Sequence, residues 1–125
     1  MGIIGFLAGC SRGDRRQQMI KDVEAIDGVT SCDVSLGGGG GLRRTFGGSI
    51  SFDVGRDALE EAFDEAFRIV ITYVHDLDEG DGSREITGMS AKDEDGSTFT
   101  PREWIGADQS TPISVGMFYD RYSLS

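Results

Sequence analysis

Cys10 and Cys32 are the chain's two thiols, and His75 is its one imidazole. Three such side chains cannot complete the four-ligand set of a structural zinc site, and the chain has no Cys-x-x-Cys pair. A Cys10–Cys32 disulfide would require an oxidising compartment, and spacing alone does not establish one. His75 needs a nucleophile to activate. A serine elbow requires Gly-x-Ser-x-Gly, and around Ser49 and Ser90 the second glycine is missing. His75 is therefore expected to be a helix-end residue, where positive charge suits the dipole.

The acidic loops invite a calcium test. An EF-hand counted from Asp76 needs glycine at its sixth position and glutamate at its twelfth; the chain has Asp81 and Thr87 there. Asp93 and Asp95 sit in a turn-like Asp-Glu-Asp-Gly-Ser run. Glu60 with Asp64 and Glu61 with Glu65 are spaced i, i+4, which marks a solvated helix face. No catalytic residue, metal site or cofactor is expected.

What remains is recognition chemistry. Gly37–Gly41 precede Leu42-Arg43-Arg44, so backbone N–H groups lie beside two guanidiniums. A phosphate loop leads into a helix, whereas this one leads into a strand, so it is expected to be a hairpin loop. Arg43 and Arg44, with Tyr119 and Arg121 from the tail, form the candidate partner or ligand surface, since arginine and aromatic residues commonly anchor interfaces.

The elements that must position these residues follow from hydrophobic periodicity. Residues 14–27 predict a helix capped by Asp14, with Met19, Ile20, Val23 and Ile26 as its stripe and Gly28 as its stop. Residues 29–36 and 44–54 predict two hairpin strands. Thr30, Cys32, Val34 and Leu36 face inward from one, and Phe46, Gly48, Ile50, Phe52 and Val54 from the other. Residues 57–77 predict a long helix with a capping box from Asp57 to Glu60 and a stripe of Leu59, Phe63, Phe67, Val70, Val74 and Leu77. A strand over 84–91 and a short edge strand near 97–100 come next. Pro101 then starts a short helix whose Trp104 and Ile105 are expected to anchor it to the core. In the tail, Ile113, Val115, Met117 and Tyr119 alternate like a strand, while Thr111-Pro112 starts a helical pattern; the helix is favoured.

The fold class expected is α+β, with two layers: an antiparallel sheet and two main helices on one of its faces. The chain has 125 residues, enough for one domain with its own core. Its formal net charge is −10, and residues 45–125 carry all of the acid excess. Such a surface repels phosphate backbones and anionic headgroups, so nucleic-acid binding is disfavoured.

The amino terminus carries a resemblance. Ile3-Ile4-Gly5-Phe6-Leu7-Ala8-Gly9-Cys10 is an apolar run ending in small residues before a cysteine, which resembles a bacterial lipobox. The helix into Asp27-Gly28-Val29, Phe46-Gly47-Gly48-Ser49-Ile50, Asp95-Gly96 before Thr100-Pro101, and Tyr119-Asp120-Arg121-Tyr122 complete a pattern similar to small uncharacterised lipoproteins of high-GC Gram-positive bacteria. The resemblance implies a lipid on Cys10 and an extracytoplasmic address, with membrane contact only through that lipid. Residues 1–9 would be a truncated signal segment, 10–13 a tether and 14–125 the domain. The function expected is a non-catalytic lipoprotein domain that binds a protein partner or small ligand. The alternative makes residues 2–8 a strand. The order is then β-α-β-β-α-β, ferredoxin-like, in a cytosolic regulatory, phage-related or inhibitory binding module.

Overall fold

Apolar residues alternating with small polar ones make the centre of the molecule a hairpin. In the computed structural model, which describes residues 12–39, 42–106, 108 and 110–124, strand β1 (Val29–Gly39) pairs antiparallel with β2 (Leu42–Phe52). Cys32 and Val34 of β1, and Phe46, Ile50 and Phe52 of β2, are buried on one face, while Ser31, Asp33 and Ser35 are exposed on the other. Cys32 is a free thiol. Burial, then the nearby Glu24 and Asp33 carboxylates, push it up to about 11, so it is a small core residue rather than a nucleophile. Cys10, the lipobox and residues 2–8 lie outside the described residues.

Helix α1 (Arg12–Glu24) buries Met19 and Val23 and packs on β1. It starts two residues earlier than Asp14 predicts and ends at Glu24, after which a turn carries the chain through Gly28 at φ 95°. Arg16 Nε donates to the Val34 carbonyl at 3.1 Å, which satisfies an acceptor of β1. Helix α2 (Arg56–Leu77) lies over β2 and buries Leu59, Phe63, Ala66, Phe67, Val70, Ile71 and Val74. The expected Asp57 cap is not made: Gly55 is the N-cap, with no side-chain cap bond, and Asp57 sits in the first turn. There its charge still complements the helix dipole.

After α2 the chain returns to the free edge of β2 and runs parallel to it. β3 (Glu85–Ile86) pairs with Thr45 and Phe46, and β4 (Ser90–Lys92) pairs with Ser49, Ile50 and Ser51. The register advances by one residue between them, so the strand expected over 84–91 is two pieces joined across a bulge. Thr87 N–H donates to the Phe46 carbonyl at 2.8 Å inside that bulge. A Cβ on Gly47 would lie 1.6 Å from the Thr87 carbonyl oxygen, so only glycine lets the bulge close on β2. β5 (Thr98–Phe99) then adds antiparallel to β4, and β6 (Ile113–Ser114) antiparallel to β3.

The α+β class stands, but the expected antiparallel sheet is corrected: the sheet is mixed and curls like a half-barrel. The physical reason lies in the long connection. A strand that follows a helix of 22 residues can return parallel to its predecessor, as a βαβ crossover does, and no hairpin rule forces it antiparallel. The ferredoxin-like alternative meets the same obstacle. It needs a further strand beside β2, and both edges of β2 are already taken, by β1 and by β3 with β4. The tail is neither a long strand nor an α-helix. It is β6 followed by two 3-10 turns, Val115–Phe118 and Asp120–Tyr122.

Candidate functional site

The four candidate surface residues do not form one patch. Arg43 lies in β2, and its side chain is outside the described atoms. Arg44 and Tyr119 meet at the C-terminal end of α2. Arg121 belongs to a second cluster, held by Asp64 in the N-terminal half of α2.

The first cluster is organised by Arg84 and Asp78. Their side chains are only 8% and 4% exposed. Arg84 Nε donates to one Asp78 oxygen at 2.8 Å and Nη2 to the other at 2.9 Å, a bidentate pair. Nη1 donates to the Thr45 carbonyl at 3.0 Å and to the Gly37 carbonyl at 3.4 Å. One guanidinium thus joins the end of α2, both hairpin strands and the start of β3. Arg44 covers this pair from outside, donating to Asp81 at 2.7 Å and to Ser83 Oγ at 3.2 Å. Hydrogen bonds from Ser83, and then from Arg44, hold the Asp81 carboxyl down at about 2. Tyr119 donates to the Asp81 carbonyl at 3.2 Å, and its ring meets His75 edge-on at 5.0 Å. His75 Nδ1 lies 3.1 Å from Asp76. Each group is engaged by the structure itself, which makes this cluster a clamp.

The second cluster is an aromatic corner. Helix α3 (Arg102–Ile105) carries Trp104, which stacks on Phe63 with centroids 5.4 Å apart and touches Phe67, Phe99 and Phe118. Pro101 is the N-cap of α3 rather than its first helical residue, no side chain caps the helix, and Thr100 N–H donates to the Glu103 carboxylate at 3.2 Å. Trp104 Nε1–H donates to Glu60 at 2.9 Å. The Arg121 guanidinium sits 4.0 Å above the indole centroid, held by Asp64 at 3.0 Å. Tyr122 also donates to Asp64, at 2.7 Å. Burial raises the Asp64 carboxyl, but hydrogen bonds from Arg121 and Tyr122 outweigh it and leave the net shift downward. Burial and the Asp64 charge push the Tyr122 phenol far up.

Ile105 corrects an expectation: it does not anchor α3, being 40% exposed, and Met117 is 51% exposed. These are the large exposed hydrophobics among the described residues. Ile105 follows Trp104 and Met117 precedes Phe118 in the chain, and the rings of Trp104 and Phe118 are 6.5 Å apart. Sequence reasoning missed the corner because its pieces are far apart in the chain. The usable signal was the lone tryptophan in a chain whose tail carries arginine and tyrosine.

An open groove of about 690 Å³ lies between α1 and α2, with Met19, Ile69 and Tyr73 among its apolar lining and Asp22, Arg68 and Asp76 among its charged groups. The acidic loops spend their carboxylates on turns: Asp93 Oδ1 accepts from the Asp95 and Ser97 N–H groups, and Asp108 Oδ1 from those of Ser110 and Thr111. Among the described residues, no group of His, Cys, Asp or Glu is arranged to hold a metal, and no helix is long and apolar enough to cross a membrane. In comparisons with protein-family models, curated proteins and solved structures, none matched this chain.

Proposed function

We propose that this chain is an extracytoplasmic lipoprotein, anchored through a lipid on Cys10, whose α+β domain holds a protein partner and performs no catalysis. The observation that carries the reading is the junction between Leu7-Ala8-Gly9-Cys10 and the domain. The lipobox-like run ends two residues before α1 begins at Arg12, and the buried core is drawn from Met19 through Tyr119. Among the described residues, that core begins after the lipobox-like run. A tether over residues 10–13 would hold the domain close to the membrane. The exposed Met117 and the Arg121 that lies over Trp104 support a protein partner, because Met, Trp and Arg are enriched at interfaces.

Intact mass and membrane fractionation of the protein from its native locus test the anchor. A chain beginning at Cys10, heavier by a diacylglyceryl group and found with membranes, is the expected result. An unmodified chain keeping Met1 or Gly2 and recovered from the cytosol would replace this reading with the cytosolic binding module. A second reading, a small ligand, draws on the groove between α1 and α2, whose volume is within the range of small-molecule sites.

A further inference from the structure

We propose that the groove between α1 and α2 binds a short apolar peptide, on the order of three residues long, through its two free termini. This goes beyond the protein-partner reading and rests on the small-ligand one, whose ligand class it names.

The walls of the groove follow from helical spacing. On α2, Arg68, Thr72 and Asp76 recur at every fourth residue and form one row, with Ile69 and Tyr73 in the row beside it. On α1, Gln18 and Asp22 are also four apart, and Met19 lies next to them. These side chains line one groove of about 690 Å³. Met19 is buried and Ile69 and Tyr73 are half-buried, whereas Asp22, Arg68 and Asp76 are exposed. An apolar floor thus lies between rims that carry both signs of charge.

Those charges are not spent on one another. Among the described residues, no carboxylate lies within ion-pair distance of Arg68, and no arginine or lysine within that distance of Asp22 or Asp76. Arg68 is near enough to act on the charge of Asp64, but that carboxylate is already bonded by Arg121 and Tyr122. Asp22 accepts from the neutral Gln18 amide at 2.9 Å, and Asp76 lies 3.1 Å from His75 Nδ1.

Charge complementarity selects the ligand. A ligand of one sign leaves the opposite rim unmatched, and a purely apolar one leaves both unmatched. A zwitterion with an apolar body satisfies floor and rims together. Arg68 and Asp76 are eight residues apart on α2, about 12 Å of helix rise, which is too far for the two charges of a single amino acid. Three extended residues span about 10 Å, and the long Arg68 side chain covers the rest. The carboxylate then meets Arg68, the ammonium meets Asp76, and the side chains cover Met19, Ile69 and Tyr73. Asp22, left over on the facing wall, disfavours acidic side chains in the peptide.

The test is calorimetric titration of the full chain with Leu-Ala-Leu, alongside the same peptide acetylated at its N-terminus or amidated at its C-terminus. The expected result is saturable binding of the free peptide, about tenfold weaker for each blocked form. Arg68→Gln should bind the free and amidated peptides equally, and Asp76→Asn the free and acetylated ones. Met117→Ala, outside the groove, should change nothing. The charged side chains exchanged are exposed, and circular dichroism verifies that each variant is folded. No saturable binding of Leu-Ala-Leu would overturn the proposal. Equal binding of free and blocked peptides would overturn recognition by the termini, and equal binding of Gly-Gly-Gly would overturn the role of the floor. Persistence of both blocking penalties in both variants would place binding elsewhere on the molecule and overturn the groove. None of these outcomes touches the mass measurement, so the anchor stands or falls separately.

Discussion

Arg84 and Arg121 are each held by an aspartate of α2, and the two ends of that helix make opposite use of them. At the C-terminal end, Asp78 and Arg84 are buried, bidentate and tied to two backbone carbonyls of the hairpin. Water is excluded, so each charge depends on the other. In the N-terminal half, Asp64 and Arg121 are more than a third exposed, and the guanidinium rests on an indole instead of entering the core. Exposed pairs contribute little to stability. The difference teaches where to look for function. The buried pair explains how β2, β3 and α2 are locked together, whereas the exposed one stays at the surface.

The largest effect should come from halving the buried pair. Asp78→Ala strands Arg84 without its carboxylate and should cost about 3–5 kcal/mol, read from urea unfolding followed by Trp104 emission. Replacing both partners, Asp78→Leu with Arg84→Met, should recover much of that loss. A single variant as stable as the parent would erase the contrast between the two ends.

At the aromatic corner, Tyr122→Phe removes a hydrogen bond to Asp64 and should cost about 1 kcal/mol at neutral pH. Its alkaline behaviour sharpens the comparison. The Tyr122 phenol is raised above its ordinary value of 10.0, so the folded state holds the proton more tightly than the unfolded chain. Its contribution is fully present below pH 10 and is lost as pH climbs from there toward the raised value. Cys32 and Tyr119 are raised as well, so the diagnostic is the difference between parent and variant. Tyr122→Phe should flatten part of the alkaline decline. Identical slopes would place the decline elsewhere.

Smaller still is Arg121→Ala, which should cost about 0.5 kcal/mol through the lost cation–π contact and exposed pair, with a shift in Trp104 emission. A loss as large as that of Asp78→Ala would make both ends structural. Least of all is Arg44→Ala. Its bond to Asp81 lies in solvent and its pairing with Asp78 is long, at 3.5 Å, so the urea midpoint should move least of all.

Much of this architecture is legible in the residues. The stripe from Leu59 to Val74 predicts α2 nearly to its ends, and the alternation through Val34 and Ile50 predicts the hairpin, because period and burial agree there. The parallel junction is not legible. Nothing local in Glu85-Ile86 says which neighbour or direction it will take, and a two-residue strand has no period. Asp78 hides in a similar way. Within Asp-Glu-Gly-Asp-Gly-Ser it looks like a solvated turn, and only the fold brings Arg84 over it. The tail satisfies both patterns seen in it, because a short strand and 3-10 turns each take part of the alternation. At the candidate surface, residue type picked Arg44, Tyr119 and Arg121 as a partner or ligand surface, and within the fold each makes an intramolecular hydrogen bond. It could not sort them, since Asp81 and Asp64 claim them at opposite ends of α2.

Strand β2 has one edge served by a neighbour in sequence and the other by a segment that arrives only after α2. This asymmetry sets an order of events. The hairpin closes over a short loop, while the β2–β3 and β2–β4 junctions must wait for a far longer one, whose closure costs more chain entropy. The same asymmetry should govern opening from the native state. The Thr87 amide, bonded to Phe46 across the late junction, should exchange with solvent sooner than the hairpin amides paired around Cys32 and Ile50. The molecule should therefore open along one side of its central strand while the other side remains paired.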